Sequence, residues 1–228
     1  MFAAAAHFQH LLPDAVLVGG TAAAVYAAQR LSVGADHVLT DLKSRFDQVL
    51  GELESVAGWE TARVNRPVLI LGSLDGIETG TRQLIRRESM ETQQIEHAGL
   101  KITLPTSAEM LRIKAALILK RNATRDYLNF AALAERLGTP ATARALERFD
   151  ELYPQPSGES ALQQLQVQLA NPLPYDLEQT NLSEYKRVDA KWHDWAVVRG
   201  TCGRCATGAF DLVEQWKIER ESNLELGG

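Results

Sequence analysis

The sequence predicts an α/β protein, a small mixed β-sheet followed by a helical domain. Three observations carry this expectation. Strand and helix signals alternate up to about residue 58, short β-branched segments broken by Gly and Pro fill residues 61–105, and helix-forming patterns take over from Thr106. The boundary therefore falls near residue 105, between an α/β domain of residues 1–105 and a helical domain of residues 106–228.

Ala15–Gly20 (AVLVGG) reads as a buried strand ending in a double glycine, and Thr21–Arg30 (TAAAVYAAQR) as a helix of good formers. Asp36–Leu39 (DHVL) reads as a short strand and Asp41–Gly58 as an amphipathic helix. TARVN, VLILGSL, IETGTRQLI, ETQQIEHAG and LKITLP, between Thr61 and Pro105, are expected to complete the mixed sheet. TSAEMLRIKAALILKR then opens with a cap candidate at Thr106 or Ser107. It has Glu109 in its first turn and Lys120 and Arg121 in its last, as a helix dipole favours. Pro154, Pro156, Pro172 and Pro174 punctuate the helical half, and no internal repeat is visible.

The 228 residues are 45% hydrophobic and 23% charged, which is ordinary for a soluble globular protein. A formal charge of -5, from 24 basic and 29 acidic residues, excludes a protein that coats nucleic acid through a general basic surface, though a local basic cleft stays open. The longest apolar runs, such as Val68–Gly72, are far shorter than a bilayer span, and MFAAAAHFQH lacks the basic start of a signal peptide. No membrane is expected as a partner, and the expected location is cytoplasmic. Cys202 and Cys205 form one CxxC, half of a zinc site at best with His193 the nearest further ligand, and two small helix residues are the simpler reading. Trp192, Trp195 and Trp216 read as core before they read as an interaction surface.

The stretch Val16–Val38 carries the most chemistry. Glycine lets backbone approach a ligand closely, and a helix beginning beside it offers unsatisfied N–H groups and the positive end of its dipole. Gly19, Gly20 and Thr21, with the Thr21 hydroxyl at the cap, would suit a triphosphate. A strand-to-helix turn also uses glycine for steric reasons, so Gly-Gly-Thr alone does not decide.

Several blocks in order point further. LVGGTAAAVYAAQRLSVGADHV resembles the first motif of the nucleotidyltransferase-fold proteins of the AbiEii/AbiGii toxin family, in which a Gly-Gly-Thr or Gly-Gly-Ser turn precedes a helix, an Arg-x-Ser segment and an acidic DxD pair. Arg30 and Ser32 match that segment. LPTSAEMLRIKAALILKRNATRDYLNFAALAERLG resembles the family's helical segment, with Lys114 on one helix and an Arg-Asp-x-x-Asp motif on the next, here Arg125, Asp126 and Asn129. IETGTRQL falls where the family carries its third carboxylate, with Glu78 the best match and Asp75 the reserve. The resemblance spans roughly residues 10–140.

The resemblance implies transfer of NMP from an NTP to an acceptor such as RNA, as in toxins of toxin–antitoxin systems, with an antitoxin protein as a partner. Catalytic residues would be Asp36, Glu78, Lys114 and Asp126, with magnesium or manganese on Asp36 and Glu78. Gly19, Gly20, Thr21, Arg30, Ser32, Lys114 and Arg121 would bind the nucleotide, and Asp126 would orient the basic groups. Physically, carboxylates at i and i+2 on a strand share a face and can hold ions that bridge phosphates. Lys114 and Arg121, seven apart, share a helix face and could neutralise the triphosphate, with a solvated basic face as the alternative; for Lys114, set among Ile113, Ala115, Ala116 and Leu117, function is favoured, since an amine there must snorkel or meet an anion. Two departures stand out. Position 34, first of the acidic pair, is glycine, and position 129 is asparagine. His37 lies on the other strand face and Asp41 past the strand, so neither replaces the lost carboxylate. These departures favour a second reading, a catalytically weakened relative that binds a nucleotide or a partner protein.

Overall fold

A five-stranded sheet in the order β1-β2-β5-β4-β3 organises the first half of the chain. The computed structural model describes residues 1–26, 34–86, 88–185 and 189–226. The strands are β1 (Val16–Leu17), β2 (Gly34–Leu39), β3 (Trp59–Asn65), β4 (Leu69–Leu74) and β5 (Ile77–Gln83). β2 and β5 run parallel and the other neighbours antiparallel, so the sheet is mixed. The chain divides into two units, Met1–Thr106 and Ser107–Gly228.

Within the first unit, the pleat sends alternate side chains to opposite faces. Ala35, His37 and Leu39 of β2, Thr79 and Thr81 of β5, and Ile70 and Leu74 of β4 are buried. Leu39, Ile70 and Leu74 join Phe8 and Leu12, from the helix α1 (Phe2–Leu11) and its end, in one core. Phe46, Val49, Leu50 and Leu53 of α3 (Phe46–Glu54) and Trp59 complete it. The spacing of those α3 residues is the i, i+3, i+4, i+7 stripe of a helix that buries one face. His37 stacks on Phe8 with ring centroids 4.3 Å apart. Burial pushes its imidazole down to about 4, against the opposing pull of the backbone at Ala35, Gly80 and Ala5. Neither ring nitrogen has a hydrogen-bond partner of good geometry among the described residues.

Several sequence expectations change. The strand read over Ala15–Gly20 is only Val16–Leu17, because Gly19, at φ 73°, turns the chain into α2 (Gly19–Tyr26). The helix therefore begins two residues before Thr21, and residues 27–30 of the expected helix lie outside the described residues. The helix read over Asp41–Gly58 shortens to α3, since Asp41–Arg45 form a turn closed by Ser44 N–H and Ser44 Oγ on the Asp41 carbonyl. ETQQIEHAG and LKITLP do not complete the main sheet. They pair with each other as a separate hairpin, β6 (Thr92–His97) and β7 (Leu100–Pro105), around the positive-φ residues Ala98 and Gly99. The Gln9 side chain of α1 bonds both the N–H and the carbonyl of Thr103, satisfying backbone groups of β7. The α1 helix itself carried no assignment in the sequence, its run of alanines giving little amphipathic contrast.

The second unit is helical: α4 (Ser107–Arg121), α5 (Thr124–Leu137), α6 (Thr139–Leu146), α7 (Phe149–Leu152), α8 (Ala161–Ala170) and α9 (Trp195–Leu226). Met110, Leu111, Ile118, Tyr127, Phe130, Leu133, Leu146 and Phe149 are fully buried in it. Cys202 and Cys205 are free thiols on α9. Burial raises both, Cys205 to about 11 and Cys202 further, so neither is poised as a thiolate. Trp192 is buried, Trp195 meets Tyr127 edge-on, and Trp216 lies under the Arg144 guanidinium.

Candidate functional site

The open face of the sheet carries the candidate site. Gly34, Asp36, Glu78 and Arg82 lie on the face opposite to His37 and Thr81, set there by strand parity and by the register that pairs Gly34 with Glu78, Asp36 with Gly80 and Val38 with Arg82. The α2 N-terminus stands against the same strand. A Cβ placed on Gly19 would sit 3.1 Å from Asp36 Oδ2, and the positive φ of Gly19 is one that side chains avoid. Thr21 is buried, and its hydroxyl donates to the Gly34 carbonyl at 2.7 Å. That hydroxyl is thus not a helix cap but a tie between α2 and β2. The structure brings Gly19, Thr21 and Asp36 together, with Glu78 two registers away, while Arg30 and Ser32 lie outside the described residues.

The partner that Asp36 has acquired is a cation. Arg82 Nη2 stands 3.6 Å from Asp36 Oδ1, both side chains about half exposed. Sequence reading missed Arg82, although its signal was present: Glu78 and Arg82 are four apart on one strand and so share a face. Two glycines frame the pair. A Cβ on Gly34 would meet the Glu78 carbonyl oxygen at 2.9 Å, and one on Gly80 would meet the Ile70 carbonyl oxygen at 2.3 Å. Neither neighbour is a flexible side chain, so both positions resist any carboxylate. Asp75, the reserve ligand, occupies the β4–β5 turn with φ 52° beside Gly76 at 76°, and it pairs with His7 at 3.6 Å. An Asp-Gly pair at two positive φ values is what a two-residue hairpin needs, which explains the acid there without a metal. Among the described residues no group of three or more His, Cys, Asp or Glu side chains could hold a metal ion. Asp36 with an arginine on it, Glu78 alone on its register and two barred neighbours do not fit a two-metal carboxylate cluster.

In the second unit, Asp126 is fully buried and holds Arg121 in a two-pronged pair, Nη2 to Oδ1 at 2.8 Å and Nε to Oδ2 at 3.1 Å. Lys114 is almost fully buried and is not without a partner. The surface hollow of about 420 Å³ beside Lys43, Arg45 and Arg66 lies elsewhere, at the start of α3, and Arg45 and Arg66 are paired there with Asp14, Asp41 and Asp47.

Comparison with known proteins gives two kinds of likeness. No protein-family model matches the chain. Over 135 residues it is 32% identical to the mycolic acid-containing lipids exporter MmpL11 of Mycolicibacterium smegmatis, and over 133 residues 34% identical to the heme uptake protein MmpL11 of Mycobacterium tuberculosis. These matches take in 58% and 57% of this chain, which spans only 13% of those proteins. Among solved structures, a nucleotidyltransferase-type protein of H. pylori is similar over 93% of this chain and 97% of its own, with TM-score 0.49 and 13% identity. The antigenic nucleotidyltransferase-like protein of Paracoccidioides brasiliensis is similar over 69% of this chain and 88% of its own, with TM-score 0.43 and 16% identity. ANT(2")-Ia in complex with adenylyl-2"-tobramycin is similar over 64% of this chain and 97% of its own, with TM-score 0.47 and 10% identity. No helix among the described residues is long and apolar enough to cross a membrane.

Proposed function

We propose that residues 1–106 are a nucleotidyltransferase-like domain that binds a nucleoside triphosphate, with the phosphates at the N-terminus of α2. The observation that carries this reading is the Gly19–Thr21 turn, whose helix N-terminus lies against Asp36 on the open face of the sheet. The N–H groups of a helix's first turn, which have no partner within the helix, and the positive dipole end suit phosphate. Transfer of NMP to an acceptor such as RNA, the aid of magnesium or manganese, and an antitoxin partner are what the sequence resemblance supplies. The glycines at 34 and 80 and the Asp36–Arg82 pair favour the weakened form of that activity. Withdrawing about 3 kcal/mol of metal assistance slows a step about 100-fold. Asp126 clamps Arg121 and would orient that basic group, and the same pair ties α4 to α5. Transport and heme uptake belong to proteins of which this chain spans only 13%.

The test is a thermal melt of the full chain with each of ATP, GTP, CTP and UTP at millimolar concentration, followed by incubation of labelled NTP with RNA. The expected result is a raised melting temperature with at least one nucleotide, since binding shifts stability by mass action, and little labelled RNA. Four unchanged melts would overturn the nucleotide reading, and rapid labelling would overturn its weakened form.

A further inference from the structure

We infer that Arg82 takes over the charge role of the metal, so that this site binds its nucleoside triphosphate without a divalent cation. The inference rests on the nucleotide reading above and goes beyond it in naming the residue and the cation independence. An anionic phosphate arriving at the α2 N-terminus meets the Asp36 carboxylate, which lies against Gly19. Two like charges brought together there repel, and a cation between them relieves the repulsion. In a metal-dependent site further carboxylates hold it there. Here two of the positions beside Asp36 on its own face are Gly34 and Gly80, where backbone atoms already fill the space a Cβ would take, and a third is the apolar Val38.

Arg82 stands where the cation is needed. Its guanidinium is on the same face, 3.6 Å from Asp36 Oδ1, and is half exposed. A guanidinium carries five N–H donors in a fixed fork, so a contact to Asp36 leaves donors for a phosphate oxygen. An ion pair this exposed is weak, and its geometry can be rearranged at little cost when a dianionic group arrives. Magnesium would find only two carboxylates on this face of β2 and β5, Asp36 and Glu78, among the described residues.

The test is a calorimetric titration of the full chain with each of the four NTPs, once in magnesium and once in EDTA, for the wild type, Arg82→Ala and Arg82→Lys. Equal wild-type affinity in the two buffers is expected. Arg82→Ala should weaken binding in EDTA about tenfold or more, the scale of one charge-assisted bond to phosphate, and Arg82→Lys should recover part of it. Arg82 is an exposed side chain, so all three proteins should fold, and melts of the free proteins check this. Wild-type binding that needs magnesium, or an Arg82→Ala protein that binds as well as the wild type, would overturn the inference and leave the nucleotide reading standing. No binding in either buffer would sink both.

Discussion

Gly34 shows how a single residue divides the sequence reading from the structural one. By motif it is a lost aspartate, and replacing it with Asp would be expected to rebuild a metal pair. By geometry it is a close approach between β2 and β5, because its φ is ordinary and the obstacle is the Glu78 carbonyl 2.9 Å from the Cβ position. Gly34→Asp is therefore expected to lower the melting temperature and to gain no manganese affinity in a titration. Gly19→Ala should be destabilised by about 1–2 kcal/mol, measured by urea unfolding, since an L side chain at positive φ is disfavoured by that amount. His37 adds a pH dependence. Its folded value, about 4, lies below the ordinary 6.5, so the unfolded state binds the extra proton first. The stability it contributes is complete above pH 6.5, falls as pH drops toward 4, and amounts to about 3 kcal/mol at most. Urea unfolding at pH 7 and pH 4.5 should show this loss in the wild type, and a smaller one in His37→Phe. An equal loss in both proteins would assign the acid sensitivity to other groups.

At the scale of elements, what was legible followed from period and punctuation. β4 and β5 were readable because VLILGSL and IETGTRQLI flank an Asp-Gly turn, and α4 because Ser107–Arg121 has acid at its start and base at its end. The α1 helix and the separate β6–β7 hairpin were not, for pairing partners are a tertiary property that strand propensity does not encode. In the candidate site, the motif pointed to Gly19, Asp36 and Glu78, and the structure places Gly19 against Asp36 with Glu78 on the same sheet face. Arg82 needed the β2–β5 register to place it beside Asp36, and the meaning of Gly34 and Gly80 needed the distances to neighbouring backbone. A remote cap was equally hidden. The Asp176 carboxylate accepts from both the N–H and the hydroxyl of Thr124, at 2.7 and 2.8 Å, at the start of α5. Asn122 fastens the same loop by accepting from Tyr175 N–H through its carbonyl and donating to the Leu173 carbonyl. Asp176→Ala should cost about 1 kcal/mol, the usual scale of a lost N-cap, with hydrogen exchange quickening first in the opening turn of α5.

Within the first unit, one face of the mixed sheet packs the core, and the α2 N-terminus, Asp36 and Arg82 are gathered on the other. The central claim is that this face holds a nucleoside triphosphate. The most direct measurement is hydrogen exchange of the full chain, with and without each NTP at millimolar concentration. The account predicts slowed exchange at the amides of Gly20 and Thr21 and in the segment from Glu78 to Arg82 with at least one nucleotide. No slowing with any of the four, or slowing confined to segments away from α2, β2 and β5, would contradict it.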